Sequence, residues 1–417
     1  MAFYGSRLQA QRRTARNYTG GRSTERKHRP DYLLIVLMSA LLVVGAVVVY
    51  AIGPGLTQGK NLPENYFSSK QLTAIALGII GFIIASFTPL NRWKQLQWPI
   101  IIAACILAVS VRFIGEEING AHRWVQVGGF SFQAAELIKL AIVLWLAHYL
   151  ARMRELSLIQ DSRVLQPLGV LFGLIIVIVA GLQSDLGSAS VMMAVIGVSA
   201  FVAGLPMKRL LLVGSIVVAL ALIAIVSTPY RRDRVATFFN PTADCQAEGY
   251  QACQALITIG SGGLFGKGLG RSVQAYGYLP EPANDSIFAI VSEKFGLVGA
   301  LVVLLLFWLL FRRITMIARA APNDYAQLLV VGVLVWLSVQ MTINVGAMIG
   351  LLPLKGITLP FVSYGGTSII FVMIAMGIVF QISRYTDLAT ATQKSSRLAR
   401  GQNISVPSGA RYGRGLS

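Results

Sequence analysis

The chain has 417 residues, of which 55% are hydrophobic and only 13% charged, with a mean hydropathy of +0.66. A soluble domain carries about 25% charged residues, so roughly half the usual charge is missing, which excludes an ordinary soluble enzyme, a disordered chain and a disulfide scaffold. The formal net charge of +19 would suit a nucleic-acid binder, but the basic residues sit in the gaps between long apolar runs and never interleave with aromatics on a soluble face. No nucleic acid is expected as a partner, and the composition describes a polytopic membrane protein.

The first 30 residues are polar and hold eight Lys or Arg, among them Arg12, Arg13, Arg26 and Lys27. The apolar run that follows is too long for a signal peptide, and no small-residue cleavage site ends it. A crossing helix needs about 20 apolar residues, and the runs predict an all-α integral membrane fold with ten transmembrane helices. They lie near 32–53, 71–88, 97–114, 134–151, 167–183, 187–204, 210–228, 286–311, 326–350 and 364–383. An even number of spans puts both termini on one side. The segments on that side hold 24 Lys or Arg against ten on the other, and cytoplasmic loops carry the excess of such cations. Both termini are therefore expected in the cytoplasm. The organisation that follows is a basic cytoplasmic tail over 1–31, a membrane domain over 32–384 and a second cytoplasmic tail over 385–417. The membrane domain includes one long extracytoplasmic loop, 229–285, between helices 7 and 8.

The acidic residues fall the other way: eleven of 17 lie outside or near the outer ends of spans. The long loop carries Phe238, Phe239, Tyr250, Tyr276 and Tyr278, which argues for order, and long ordered loops are commonly functional. Cys245 and Cys253, eight residues apart in it, either pair in an oxidising compartment or stand free. Cys105 reads as a packing residue within a span. The string GSGGLFGKGLG, 260–270, lacks the Walker pattern, since Gly268 follows Lys267 where Ser or Thr is required. It reads as a flexible re-entrant segment, or as a turn that lets backbone approach a lipid pyrophosphate.

Ionisable groups within spans are costly and point to function by default. Glu136 and Lys139 are three apart on one helix and can pair, either locking helix packing or serving a substrate. Asp185 sits at a short outer turn, as a helix N-cap or a site residue, with Ser184 as the competing cap. Pro280 and Pro282 bar a regular helix through Glu281, so this glutamate lies on a rigid turn at the membrane surface. Asp285 precedes the eighth span, where it can cap that helix or act as a partly desolvated general base; Glu293 lies about two turns deeper. Arg231, Arg232 and Arg234 break the positive-inside trend and need an anionic partner, either phospholipid headgroups or a pyrophosphate.

Four strings, NGAHRWVQVGGFSFQAAELIKL (119–140), QSDLGSA (183–189), GYLPEPANDSIFAIVSEKFGLVG (277–299) and GLLPLKGITLPFVSYGGTS (350–368), resemble the SEDS family of shape, elongation, division and sporulation proteins. The basic tail and LPLKGITLPFVSYGG are more similar to the family's cell-division member than to its elongation member. Two departures stand out: Ala134-Ala135 precede Glu136 where the family often has Pro-Ser, and Pro282-Ala283-Asn284 replace a stretch where His and Thr are common.

The resemblance implies a peptidoglycan glycosyltransferase of the bacterial cytoplasmic membrane, working at the division septum and polymerising lipid II outside it. The family's essential aspartate falls on Asp285, acting on the GlcNAc 4-hydroxyl, with undecaprenyl pyrophosphate as leaving group. Arg231, Arg232, Arg234, Glu136, Lys139, Asp185, Glu281, Glu293 and Lys355 are the candidate substrate-binding residues. Expected partners are lipid II, the undecaprenyl-pyrophosphate-linked glycan, a class B penicillin-binding protein, other divisome membrane proteins and membrane lipids. A divalent cation, Mg or Mn, is compatible with the pyrophosphate, with no organic cofactor and no dedicated all-protein metal site. A lipid II flippase and a non-catalytic divisome scaffold are the competing readings. The first would need a polar path across the bilayer, and the second leaves the outer carboxylates and arginines without a purpose.

Overall fold

A computed structural model describes residues 29–58, 62–118, 121–127, 130–226, 245–246, 249–271 and 273–386. Helix α1 (Tyr32–Thr57) starts where the Asp31 carboxylate accepts the Leu33 N–H at 3.2 Å. Helices α2 (Tyr66–Phe87) and α3 (Leu90–Ile114) follow. The connection after α3 is a three-stranded antiparallel sheet of β1 (Glu116–Ile118), β2 (Ala121–Val127) and β3 (Phe130–Gln133), paired in the order β1-β2-β3. The all-α expectation holds for the spans, and the structure adds this small sheet in the connection between two of them. It docks on the helices through Thr367, whose hydroxyl accepts Gln133 N–H at 3.1 Å.

Then come α4 (Ala134–Glu155), and α5 (Leu165–Leu174), which continues as a π-helical stretch over Ile175–Leu182. Next are α6 (Leu186–Val202) and α7 (Met207–Val226). Helix α8 (Tyr250–Ser261) lies within the long connection, where no helix was expected. The last three are α9 (Ile287–Arg319), α10 (Asp324–Met348) and α11 (Gly366–Ser383). Each expected span falls on a helix. Among the described residues, seven helices, α1 to α4 and α9 to α11, are long and apolar enough to cross a membrane, and α5 and α6 are shorter apolar helices.

Helices α4, α10 and α11 are buried over most of their length and form the centre, whereas α2, α3 and α9 turn apolar side chains such as Ile83, Ile106 and Leu301 outward. Lipid tails are as apolar as leucine, so helices in a bilayer are held by close packing and polar pairs rather than by expulsion from water. Gly377 of α11 faces the Phe82 backbone and Gly45 of α1 faces Val362, at distances where a Cβ would overlap a carbonyl. Polar pairs hold one end of the bundle. Arg313 binds the Asp31 carboxylate while Asp31 N–H donates to Ser383 Oγ, joining α1, α9 and α11. Arg154 joins α4, α6 and α10 through Asp324 Oδ1 and Val202 O, each at 3.0 Å.

Helix α9 is interrupted at Gly296, whose φ of 67° leaves backbone groups without helical partners. The glycine-rich segment after α8 supplies them. Lys267 N–H donates to Glu293 O (2.9 Å), Gly268 N–H to Lys294 O (3.0 Å) and Leu297 N–H to Gly263 O (2.9 Å). A Cβ on Gly262 or Gly266 would overlap Ser292 O or Lys294 O. This segment is therefore a packed patch on a broken helix rather than a flexible re-entrant turn, and its glycines permit backbone contact. Cys245 and Cys253 form a disulfide, which ties the start of α8 to the preceding chain.

Candidate active site

The site is built on the turn 280–286, ahead of α9. Glu281 takes a left-handed φ of 47° there, and its carbonyl accepts Asn284 N–H at 3.0 Å and Ser286 N–H at 3.3 Å. This is the rigid turn expected from Pro280 and Pro282. The α9 N-cap is Ser286, and Asp285 makes no capping bond to the helix. The capping role considered for Asp285 is thus corrected: its side chain is left uncommitted by secondary structure.

The backbone of this turn is clamped from two sides. Asn344 of α10 donates through Nδ2 to Asp285 O (2.7 Å) and to Ile357 O (2.6 Å). From the connection between α10 and α11, Ser363 Oγ donates to Asn284 O (2.6 Å), and Tyr364 N–H to Ala283 O (2.8 Å). The string LPLKGITLPFVSYGG thus folds over the 280–286 turn and holds it in register.

The Asp285 carboxyl is buried and 9% exposed. Gln251 Nε2 of α8 lies 3.4 Å from Asp285 Oδ2 and 3.3 Å from Ser286 Oγ. Ser286 Oγ is 3.5 Å from Asp285 Oδ1 but 2.9 Å from Pro280 O, so its single proton goes to the nearer carbonyl. Burial pushes the Asp285 carboxyl up to about 7, the Glu281 charge adds to the rise, and the Gln251 hydrogen bond opposes it. A carboxylate titrating there is matched to proton transfer at neutral pH.

Lys355, Gly356 and Asn344 line, with Asp285, a cavity of about 10 Å³, which is room for one water molecule. Burial lowers the Lys355 ammonium below the usual lysine range. A larger cavity, about 480 Å³, lies elsewhere among α3, α4 and α5, lined by Trp98, Ile142, Trp145 and Leu171. It offers apolar volume and no catalytic groups, so size alone does not identify the site.

The other expected site residues separate. Glu281 stays beside Asp285, exposed, with its carboxylate accepting from Asn284. Glu293 does not join them. Its Oε1 takes Lys267 Nζ (3.4 Å) and the Val273 and Gln274 N–H groups, so it anchors the chain after the glycine-rich segment. Asp185 is the N-cap of α6, accepting Ser188 N–H at 2.9 Å, while its other oxygen takes Gln133 Nε2 at 3.3 Å. Glu136 and Lys139 pair at 2.8 Å, both almost fully buried. Lys139 also reaches Gln340 Oε1 (2.9 Å), and Gln340 Nε2 donates to Thr358 O (3.0 Å). That pair locks helix packing and supports, through Gln340, the same connection that clamps Asp285. Arg231, Arg232 and Arg234 lie outside the described residues.

Sequence reasoning missed Gln251, Asn344 and Gln340. Polar side chains in apolar helices are a signal, and Gln340 and Asn344 stand one turn apart on α10; attention to ionisable groups alone passed over them. Among the described residues, no group of three or more His, Cys, Asp or Glu side chains could hold a metal ion.

The family described as cell cycle protein, FtsW/RodA/SpoVE, matches residues 31–388. Among curated relatives, stage V sporulation protein E of Bacillus subtilis is 35% identical over 366 residues, covering 87% of this chain and 99% of the relative. A protein of Saccharophagus degradans named probable peptidoglycan glycosyltransferase FtsW is 38% identical over 361 residues, covering 85% and 92%. A chain in a solved structure described as a peptidoglycan synthase complex that coordinates polymerization and crosslinking superposes with a TM-score of 0.70 at 28% identity, covering 86% of this chain and 98% of that one. The rod shape determining protein RodA of Thermus thermophilus gives 0.63 at 29%, with the same coverage.

Proposed function

The chain belongs to the FtsW/RodA/SpoVE family, and from that premise we propose that it is a peptidoglycan glycosyltransferase of the cytoplasmic membrane, with Asp285 as general base. The observation that carries this reading is a buried carboxylate, free of any capping duty and held at about 7, on a turn clamped from two directions.

In the proposed step, Asp285 takes the proton of the GlcNAc 4-hydroxyl of one lipid II as its oxygen attacks the anomeric carbon of the donor MurNAc. The new glycosidic bond forms as the bond to undecaprenyl pyrophosphate breaks, and the proton stays on Asp285 until solvent removes it. A positioned base contributes roughly 10²–10⁴-fold, and orientation of two membrane-anchored reactants supplies much of the rest. Lys355, beside Asp285, and Arg231, Arg232 and Arg234 are assigned to the pyrophosphate, whose two phosphates suit cations. The described residues provide no protein cage for a divalent cation, and no step here passes through one.

The cation distribution along the chain supports cytoplasmic termini and Asp285 on the outer side. A class B penicillin-binding protein is the proposed partner and the septum the proposed place of work. The test is lipid II polymerisation by the purified chain with and without that partner. Asp285→Asn should purify in normal yield, still bind the partner and make no detectable glycan. Near-normal glycan from this variant would move the base to Glu281, and loss of transport without loss of polymerisation would favour a flippase.

A further inference from the structure

We propose that Gln251 is a positioning residue for Asp285, presented by α8 and held in place by the Cys245–Cys253 disulfide. The inference rests on the reading of Asp285 as the base.

Gln251 comes from a different part of the chain, 34 residues before Asp285, and among the described residues its amide nitrogen is the one side-chain donor from another element on that carboxylate. The amide has two hydrogens, and its geometry uses both: one toward Asp285 Oδ2 and one toward Ser286 Oγ. Because Ser286 Oγ spends its own proton on Pro280 O, it is free to accept from Gln251. The amide therefore fixes the carboxyl rotamer against the turn rather than merely touching it.

The mount is rigid. Gln251 lies in the first turn of α8, two residues before Cys253, whose disulfide closes that end of the helix. At its other end α8 runs into the glycine-rich segment bonded to the break in α9. Helix α8 is thus fastened at its far end to the element that Asp285 precedes, while the disulfide closes the end that carries Gln251 onto the preceding chain.

A donor on the carboxylate favours its ionised form. Among the described residues, the charged or titratable groups around Asp285 are few. Glu281 is on its own turn, Lys355 comes from the α10–α11 connection, and α8 adds only Tyr250, Cys253 being in the disulfide; the α10 residues facing it, Ile343, Asn344, Ala347 and Met348, carry no charge. Removing the Gln251 donor leaves Glu281 and burial to dominate.

The experiment is the pH profile of lipid II polymerisation by the purified full chain. Gln251→Met keeps the side-chain length and removes the donor. It should move the acidic limb up by about one pH unit, a roughly tenfold rate loss at the foot of that limb, with the rate largely recovered at high pH. Gln251→Glu, which adds a like charge beside Asp285, should move the limb further in the same direction. Reduction of the disulfide should shift the limb the same way while Asp285→Asn remains inactive throughout. An unchanged midpoint in Gln251→Met, or a uniform loss at every pH, would make Gln251 a packing residue and overturn the proposal. Activity in Asp285→Asn would instead overturn the base assignment, so the two failures read differently.

Discussion

Asp285 carries a conflict between stability and activity that can be measured. Burial raises its carboxyl from the ordinary aspartate value of 3.8 to about 7 in the folded protein. Between these two values the folded state holds a proton that the unfolded chain releases, so stability falls as pH rises through that window and stays low above it. About three units correspond to at most about 4 kcal/mol. Asp285→Asn removes this cost. The variant should therefore melt above the parent at pH 8, with the gap shrinking towards pH 4, when both are followed by thermal unfolding in detergent. A parent that is the more stable protein at pH 8 would show that the carboxylate is compensated by an unrecognised partner. The same titration sets the expected rate profile of the parent: activity should rise with pH and reach half its plateau near 7. The buried pair Glu136–Lys139 behaves differently, because removing one partner strands the other charge. Lys139→Met should cost about 3–5 kcal/mol, whereas an exposed pair would cost below about 1.

At the scale of elements, the break in α9 and the segment that fills it form one unit. Gly262 and Gly260 are two residues apart but make opposite demands. A Cβ on Gly262 would overlap Ser292 O, while one on Gly260 meets nothing within 4 Å. Gly262→Ala should force backbone apart and cost about 1–3 kcal/mol. Gly260→Ala, on the exposed side of α8, should be neutral or stabilising by about 0.5–1 kcal/mol, since alanine gives up less freedom in a helix. Equal melting temperatures for the two variants would mean that the segment is not packed on α9. Glu293 belongs to this unit too: buried within α9, it accepts the Val273 and Gln274 amides. The sheet β1–β3 is a second such unit. Strand β2 reads AHRWVQV, and its register opposite β3 sets Trp124 against Gln133 and Val127 against Phe130. A span predictor built on apolar runs has no sensitivity to a short alternating segment between two of them.

For the whole molecule the governing quantity is charge along the chain. Cations gather on the segments that share a side with the termini, and the Arg154 and Arg313 ties to Asp324 and Asp31 sit at that same end of the bundle. Asp285, Glu281 and Lys355 cluster away from it. A reporter that works only outside the cytoplasmic membrane should be active when fused at Ala247 and inactive when fused after Arg384. The reverse pattern would invert the orientation and place Asp285 where lipid-linked substrate is assembled rather than polymerised.

The membrane class, the positions of the spans and the candidacy of Asp285 were legible in the sequence. Bilayer thickness converts directly into a run length, and an ionisable residue at a span boundary stands out against apolar neighbours. Which residue occupies the N-cap of α9 was not legible, because Asp285 and Ser286 are adjacent and either chemistry suits a cap; in the fold Ser286 takes the position without a side-chain capping bond, its hydroxyl going to Pro280 O. Nor could sequence separate the bonding of Glu293 from that of Asp285, since both are carboxylates near one helix end. Their distant partners lie 19 to 34 residues away along the chain, at Gln274 for Glu293 and Gln251 for Asp285. Hydrogen bonds act over about 3 Å, and only the tertiary fold brings such distant donors within that reach.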